Sequence, residues 1–327
     1  MSMNTMRKAI SWLGMVLALA GCVCCKGNDP VMGSWEGHLP YDGMAATSMI
    51  FSRGDNGEAK VVTLWRWGSP QECVDVKVSG DEFAFRHPAN ILYRGHVCKD
   101  VMMAEVAKCD ESGKPTEEFK SFVGWRNPEI EAASTDEAEF GEPIDLLASG
   151  LEGFSVLGDA KAALRGWSLK DGVLSNRVEK DANGKRIKPG VNIVTRRADF
   201  YDFKIDYDVR MPKGANSGVY LRGRYEIQSM DSYGLPVDKH NMAAYYGRVT
   251  PSVAAEKPAG EWQHVTAVLY KRHLTVILNG VRIIDNAEVV GVTGGAIDAD
   301  EFVPGPIYLQ GDHTDADYRN MVIRKAL

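Results

Sequence analysis

Alternation of apolar and polar residues is the dominant pattern of the chain after residue 33. It is cleanest over residues 203–211, where every second residue from Phe203 to Met211 is apolar. A period of two puts successive side chains on opposite faces of a β-strand, so this run predicts a half-buried strand. Runs rich in β-branched and aromatic residues predict further strands at 61–67, 74–78, 82–85, 101–106, 119–123, 262–270, 273–278, 281–284, 306–310 and 318–324. No stretch keeps a helical period, and we expect an all-β protein.

Turn signals and composition divide the predicted strands into two domains. Residues 31–126 carry short strands and frequent turns, which favour a small antiparallel β sandwich or half-barrel. Residues 127–143 hold six acidic residues and little apolar surface, a composition typical of a solvated, mobile linker. Residues 144–327 hold enough strands for two packed sheets, and we predict a concanavalin-like jelly roll. Within it, Asn279-Gly280 favours a type I′ hairpin turn.

The N-terminus has the pattern of a bacterial lipoprotein signal. Arg7-Lys8 precede the apolar residues 9–20, a run too short to span a bilayer as a stable helix. It ends in Leu19-Ala20-Gly21-Cys22, which resembles a lipobox. We therefore predict a signal peptide at 1–21, acylation (palmitate) of Cys22, a tether at 22–30, and a protein anchored by lipid to a bacterial membrane, periplasmic or at the cell surface. An ordinary signal peptide and an uncut anchor are the alternatives.

Charge and cysteine content limit the partners and the covalent chemistry. The net charge of −6 without a basic run argues against nucleic acid and against an anionic-membrane patch. Cys73, Cys98 and Cys109 all lie in the first predicted domain. Outside the cytoplasm such an odd trio permits one disulfide and one free thiol, with Cys98 and Cys109 as a candidate pair across a hairpin. The cysteine spacing does not fit a metal-ligand pattern.

Residues 214–231 read as two short strands joined by a tight turn at Gly223-Arg224, with unusually polar positions. A three-residue connection sets Arg222 opposite Glu226 and Tyr220 opposite Gln228, whereas a two-residue connection brings Leu221 opposite Glu226. We favour the first register because it gathers the polar residues on one face. Such a face is costly to bury and is not needed for packing, so it indicates a site for a polar ligand.

Several stretches of the second domain together are typical of one family. They are Asn216-Ser-Gly-Val-Tyr-Leu-Arg222, Tyr225-Glu-Ile-Gln228, Lys257-Pro-Ala-Gly-Glu-Trp262, Asn279-Gly280, Gly305-Pro-Ile-Tyr-Leu-Gln310 with His313, and Tyr318-Arg-Asn320. By these motifs the domain resembles the 3-keto-disaccharide hydrolase domain of bacterial periplasmic and surface proteins. The resemblance covers nearly all of the second domain and none of the first. It departs at Ala243-Ala-Tyr-Tyr246, so the pocket wall nearest Tyr246 is expected to differ.

The resemblance implies a jelly-roll enzyme that cleaves 3-keto-disaccharides or related glycosides, without an organic cofactor, after a partner sugar 3-dehydrogenase has oxidised C3. A ketone at C3 acidifies the C2 hydrogen, and loss of that proton lets the C1 substituent leave by elimination, after which water can add. The route needs a base near C2 and an electrophile at the ketone oxygen, for which a divalent metal held by Glu226 and His313 is one candidate. Glu226 and His313 are candidates for base or metal ligand, and Arg222 and Asp231 are further catalytic candidates. Enolate stabilisation is expected from Arg222, Arg224 and Arg319. The candidates for substrate binding are Tyr220, Arg224, Gln228, Tyr246, Gln310, Arg319 and Asn320.

Two other functions stay open from the sequence. The spacing of Glu226, Gln228 and Asp231 resembles the catalytic strand of laminarinase-like retaining β-glycanases, which need two carboxylates flanking the bond. A non-catalytic surface module that binds glycans is the other. Simple structural roles also compete. The structural alternatives are pairing of Glu226 with Arg222 across strands, capping of the turn at residues 231–234 by Asp231, a satisfied loop histidine at His313, and ordering of the closing strand by Arg319 and Asn320. His240 lies in a polar loop with no visible partner in the sequence, and we expect it to be structural or solvent-exposed.

Overall fold

The computed structural model describes residues 29–43, 45–183, 186–188 and 190–327. The predicted signal peptide at 1–21, Cys22 and most of the tether lie outside these residues. Within them, no helix is long and apolar enough to cross a membrane. The chain forms two compact units that divide at Thr63/Leu64, Pro70/Gln71 and Asn127/Pro128.

The first unit is a nine-stranded antiparallel sheet in the order β4-β3-β2-β1-β9-β8-β7-β6-β5. Aromatic rings fill its core, with Phe85 stacked on Tyr93 and Phe51 packed edge-on against Phe83. The meander matches the predicted small antiparallel domain. Its strands are β1 (Gly33–His38), β2 (Ala46–Arg53), β3 (Ala59–Thr63), β4 (Gln71–Glu72), β5 (Val74–Ser79), β6 (Glu82–His87), β7 (Ile91–Cys98), β8 (Val101–Lys108) and β9 (Lys120–Arg126).

The strand predicted over residues 61–67 ends early, at Thr63. Arg66 has a φ of 53° and Gly68 a φ of 74°, and this left-handed backbone cannot continue a strand. Residues Leu64–Pro70 instead belong to the second compact unit, and the chain returns to the first at Gln71.

The second unit is a two-sheet β-sandwich, as the jelly-roll prediction requires. One sheet has the order β12-β13-β24-β17-β20-β21-β22 with β10 added on β24, and the other has the order β11-β16-β23-β18-β19. The strands are β10 (Ile144–Asp145), β11 (Phe154–Val156), β12 (Trp167–Lys170), β13 (Val173–Asn176), β16 (Ile193–Thr195), β17 (Phe203–Arg210), β18 (Asn216–Leu221), β19 (Tyr225–Met230), β20 (Trp262–Tyr270), β21 (His273–Leu278), β22 (Val281–Glu288), β23 (Tyr308–Leu309) and β24 (Ala316–Lys325), with β14 (Glu179–Lys180) and β15 (Arg186–Lys188) as a separate ribbon and short 3-10 helices at Thr135–Glu137 and Gly150–Gly153.

The inner faces of the two sheets meet in a buried core. Val219 and Ile227 from the smaller sheet and Tyr207 and Val209 from the larger one are all fully buried. Between the sheets, the Ser217 and Tyr318 hydroxyls share a hydrogen bond of 2.8 Å. This contact fixes which side of each strand faces inward: odd-numbered residues on β18 and even-numbered residues near Tyr318 on β24.

The acidic stretch at 127–143 is not the solvated, mobile linker that its composition predicted. The Thr135 backbone N–H donates to Asn286 Oδ1 at 2.8 Å, and Asp136 forms an ion pair with Arg282 at 2.8 Å. Polar contacts of this kind, made with distant residues, help to hold the segment on the second unit, so composition alone could not reveal the packing.

The cysteine pair proposed across a hairpin does not form. Cys98 ends β7 and pairs with Val101, whereas Cys109 follows β8 at the far end of the same hairpin. No disulfide joins Cys73, Cys98 and Cys109 to one another.

Candidate functional site

The β18–β19 hairpin keeps the predicted polar face but not the predicted register. Tyr220 pairs with Glu226, and Gly218 pairs with Gln228. The expectation that Arg222 stands opposite Glu226 is wrong, because Arg222 adopts a φ of 53° and leaves the strand. Since Val219 and Ile227 point into the core, Tyr220, Glu226 and Gln228 share the outer face of the smaller sheet.

Glu226 is the centre of this face. Its side chain is buried, with 3% of the residue exposed. The Tyr220 hydroxyl lies 2.9 Å from both Oε2 and the Gly294 carbonyl oxygen, so these two acceptors share its one proton. No donor among the described residues bonds Oε1, which lies directly over Gly218, where any Cβ would overlap it. Glycine at 218 therefore makes room for the carboxylate.

The electrostatics of Glu226 differ from those of a structural carboxylate. Burial raises its pKa to about 8, the negative charge of Asp312 adds to the rise, and the Tyr220 hydroxyl opposes it. No cationic side chain forms an ion pair with Glu226 among the described residues. A buried carboxyl group with a raised pKa and one oxygen without a donor can give or take a proton near neutral pH.

Two further polar residues lie near Glu226: Tyr308 on β23, and Asp312 just after this strand. The Tyr308 ring stacks on Tyr220 with centroids 4.2 Å apart. Asp312 acts electrostatically on both Glu226 and Tyr308, and its Oδ1 bonds His313 Nδ1 at 2.6 Å. Burial opposes ionisation of Asp312, but hydrogen bonds from His313 and Asn192 outweigh it and lower the Asp312 pKa. The imidazole of His313 is thus oriented by a carboxylate beside the Glu226 face.

Two buried amides complete the surroundings. Gln228 is 1% exposed, and its Oε1 accepts from the Ser229 backbone N–H at 3.1 Å. Gln310 is held through its backbone by Gly218 and Ser217, while its buried Oε1 has no hydrogen-bond partner. An unsatisfied buried amide oxygen is costly unless a ligand or water satisfies it, which fits the predicted binding role.

Arg222 and Arg224 are turned away from Glu226. Arg222 is fully buried, donates to the Glu301 carbonyl oxygen and the Tyr225 hydroxyl, and stacks on Tyr225, whose neighbours on β19 place it on the inner face. Arg224 forms a two-pronged ion pair with Asp298 at 2.6 and 3.0 Å. Both guanidinium groups therefore hold the loop at 298–303 rather than an enolate.

Arg319 and Asn320 lie on the far side of the sandwich. Both donate to Asp208 Oδ2, at 2.9 and 2.8 Å, and Arg319 also stacks over Trp262. Tyr318 points into the core, so its neighbour Arg319 faces outward from the larger sheet. The structure does not bring these two residues to Glu226, contrary to the expectation of one shared site.

Asp231 also lies apart from Glu226. It follows the end of β19, and its Oδ2 accepts from the Gly214 backbone N–H at 2.8 Å. The β18–β19 pairing runs without a bulge, so position 231 alternates to the opposite face from position 226. Asp231 therefore bonds to the turn at residues 212–215, and not within the turn at residues 231–234 that its structural alternative predicted.

Tyr246 does reach the site. Its backbone N–H donates to the Glu226 carbonyl oxygen at 3.0 Å, and its half-buried phenol lies close enough to feel the Glu226 charge. Burial raises the Tyr246 pKa, Glu226 raises it further, and a hydrogen bond with Ser69 lowers it. The sequence reasoning missed Tyr308, Asp312 and Ser69; the alternation of residues 306–310 and the adjacency to His313 were available signals for the first two.

A metal held by Glu226 and His313 finds no support in the donor set. The part of the chain that the structure describes contains no group of three or more His, Cys, Asp or Glu side chains able to hold a metal ion. The proposed reaction therefore uses no metal ion in any step.

Comparison with known proteins connects these residues to a family. Residues 142–324 match the family model described as 3-keto-alpha-glucoside-1,2-lyase-like domain. No functionally curated protein matches the chain.

Among solved structures, two similar ones come from Parabacteroides distasonis and are provisionally assigned as glycosyl hydrolases. The first is 26% identical with a TM-score of 0.45, and the match covers 57% of this chain and 84% of that chain. The second is 23% identical with a TM-score of 0.42, and the match covers 57% of this chain and 100% of that chain. A Bacillus subtilis carbohydrate-binding module, CBM66, is 12% identical with a TM-score of 0.34, over 53% and 96%.

Proposed function

The chain belongs to the 3-keto-alpha-glucoside-1,2-lyase-like domain family, and from this membership and the chemistry of the Glu226 face we propose that it cleaves 3-keto-glycosides by elimination across C1 and C2. The substrate class is a disaccharide or other glycoside whose C3 hydroxyl has been oxidised to a ketone. A sugar 3-dehydrogenase is the class of enzyme that must supply it.

The proposed reaction begins with proton loss from C2. The C2–H electron pair forms the C1=C2 double bond, conjugated with the C3 ketone, while the C1–O bond breaks and its electrons leave with the aglycone oxygen. The product is an enone, and addition of water across it gives the free 3-keto sugar. No change of oxidation state occurs overall, so no organic cofactor is needed.

Glu226 is the proposed base at C2. Its pKa of about 8 makes it a stronger base than an ordinary carboxylate, and Tyr220 holds Oε2 so that Oε1 is left for the substrate. His313, oriented by Asp312, is proposed to donate to the C3 ketone oxygen as negative charge develops there. Gln228 and Gln310 are proposed to bind sugar hydroxyls.

A single observation carries this proposal: a buried carboxyl without a cationic partner faces outward on the sheet that carries the family motifs. A retaining glycanase would need a second carboxylate on that face at the separation of a nucleophile and an acid. Asp231, the candidate that the spacing suggested, turns to the opposite face. Asp312 does lie near Glu226, but hydrogen bonds with His313 and Asn192 already hold its carboxylate.

The test compares one oxidised sugar with its parent. Purified mature protein is incubated with a 3-keto-disaccharide and, separately, with the unoxidised disaccharide, and released monosaccharides are quantified. We expect turnover of the keto sugar alone, at a rate unchanged by exhaustive chelation. Cleavage of the unoxidised sugar would support the glycanase, binding without cleavage a glycan-binding module, and loss of rate on chelation a metal role. The lipid anchor at Cys22 remains a prediction of the sequence.

A further inference from the structure

A segment outside the family-matched residues 142–324 packs into the second unit next to the site. Residues Leu64–Pro70 leave the first unit and lie against two loops of the sandwich. The Gly295 backbone N–H donates to the Arg66 carbonyl oxygen at 3.1 Å. A Cβ on Gly247 would lie 2.6 Å from Ser69 Oγ, and one on Gly294 would overlap the backbone of Gly68.

Both glycines that the segment contacts lie next to residues of the site. Gly294 is also the residue whose carbonyl oxygen accepts from Tyr220, the partner of Glu226. Gly247 directly follows Tyr246, whose backbone bonds Glu226. The glycines at 247 and 294 therefore leave room for Gly68 and Ser69. Gly247 is adjacent in sequence to Tyr246, and Gly294 is hydrogen-bonded to Tyr220, so the segment lies next to residues of the site.

Ser69 lies in a line of polar groups. Its Oγ lies 2.6 Å from His240 Nε2, and His240 Nδ1 lies 2.5 Å from Asp238 Oδ1. Ser69 also lies close enough to the Tyr246 phenol to lower the Tyr246 pKa, and the rings of His240 and Tyr246 meet edge-on at 5.2 Å. The side chain of His240 is 38% exposed, so the line runs from solvent to the phenol beside Glu226. The sequence showed no partner for His240, and the structure gives it two, Ser69 and Asp238.

We propose that Tyr246 protonates the leaving aglycone oxygen and that Ser69 and His240 supply it with a replacement proton. This inference rests on the proposed elimination. Glu226 takes the C2 proton as the C1–O bond breaks, and the leaving oxygen takes the Tyr246 proton. Tyr246 takes a proton from Ser69, Ser69 takes one from His240 Nε2, and the imidazolium, oriented by Asp238, becomes neutral and is reprotonated by solvent.

The surroundings of Tyr246 suit an acid. Once Glu226 is ionised, its charge keeps the phenol protonated, so base and acid are ready together. The order Asp238-His240-Ser69 also matches the arrangement of an acyl-transfer nucleophile. Ser69 could thus act as a nucleophile or as a proton relay. We favour the relay because the Ser69 hydroxyl lies between the His240 imidazole and the Tyr246 phenol, where it is suited to pass a proton from one to the other.

The test compares a substrate whose leaving group needs protonation with one whose leaving group does not. Two 3-keto-glucosides are compared, one with a sugar aglycone and one with a 4-nitrophenyl aglycone, which leaves without protonation. We expect Tyr246→Phe to slow release of the sugar aglycone by about 10²-fold, and Ser69→Ala and His240→Gln by roughly tenfold. All three variants should cleave the nitrophenyl substrate within about twofold of wild type. That recovery also shows that the variant folds and binds.

Exposed Tyr233→Phe and Ser252→Ala serve as matched controls and should leave both rates unchanged. Equal loss on both substrates, or no loss on either, would overturn the relay while leaving the elimination intact. If wild type cleaves neither keto substrate, the proposed function itself fails. Covalent labelling of Ser69 by a fluorophosphonate would assign it as a nucleophile and overturn the relay.

Discussion

Two carboxylates on opposite faces of the same sandwich have opposite electrostatics. Glu226, on the smaller sheet, has a tyrosine hydroxyl as its one side-chain partner among the described residues, and burial raises its pKa to about 8. Asp208, on the larger sheet, bonds His264, Arg319 and Asn320. Burial opposes its ionisation too, but those three hydrogen bonds outweigh it and lower the Asp208 pKa.

The difference separates a structural charge from a reactive one. A buried charge is normally paired and satisfied, as Asp208 is, because an unpaired one costs free energy. Glu226 bears that cost, and such strained sites are where function is commonly found. Arg319 and Asn320 looked like site residues in the sequence, yet they belong to the satisfied cluster.

The largest effect expected is on turnover. Glu226→Gln should lower the rate of 3-keto-disaccharide cleavage by at least ~10²-fold, the usual scale for loss of a general base. Asp208→Asn makes the same chemical change on the other sheet and should stay within about threefold of wild type. Steady-state rates of both variants measure the contrast; comparable losses in the two would break it.

The next effect concerns pH. If Glu226 acts as base, the active form is the ionised one, so kcat/KM should rise about tenfold per pH unit up to about pH 8 and then level off. Rates are corrected for the uncatalysed loss of keto sugar at each pH. A rate that instead falls above pH 8 would show that the protonated carboxyl is required, and Glu226 would be an acid.

The third effect is on stability and has opposite signs at the two carboxyls. Between the ordinary glutamate pKa of 4.5 and about 8 the folded state keeps a proton that the unfolded state releases, so Glu226 lowers stability as pH rises through that window. Glu226→Gln should therefore be more stable than wild type at pH 8.5, by roughly 2 kcal/mol or more, and similar at pH 4.

Asp208→Asn should instead lose about 1 to 3 kcal/mol at neutral pH, because the amide cannot accept from Arg319, Asn320 and His264 as the carboxylate does. Urea unfolding at several pH values measures both variants, with exposed Glu288→Gln as control. Stability of Glu226→Gln that falls with pH as in wild type would contradict the raised pKa.

Much of the fold could be predicted from short-range pattern. The strands predicted at 262–270 and 273–278 match β20 and β21, and Asn279 and Gly280 both have the positive φ that their turn type demands. On β18 and β19, Tyr220, Glu226 and Gln228 share one face as predicted, whereas Arg222 does not. The predicted pairing of β18 with β19 was wrong by two residues, because nothing in the sequence shows that Arg222 adopts a left-handed backbone conformation.

Long-range placement could not be predicted. Which face Arg319 occupies depends on a register shift between Asp206 and Asp208, where β24 pairs with β17. The contact of Ser69 with His240 joins residues 171 positions apart, and no periodicity encodes it. The packing of 127–143 depends likewise on distant side-chain partners such as Asn286 and Arg282.

The central claim is that Glu226 removes the C2 proton, and deuterated water tests it most directly. Wild type and Glu226→Gln convert a 3-keto-disaccharide in this solvent, and mass spectrometry locates deuterium in the released sugar, against an enzyme-free control. The account predicts that wild type yields the enone or sugar deuterated at C2, and that Glu226→Gln forms neither above the control. Rapid release of sugar that keeps hydrogen at C2 would contradict it.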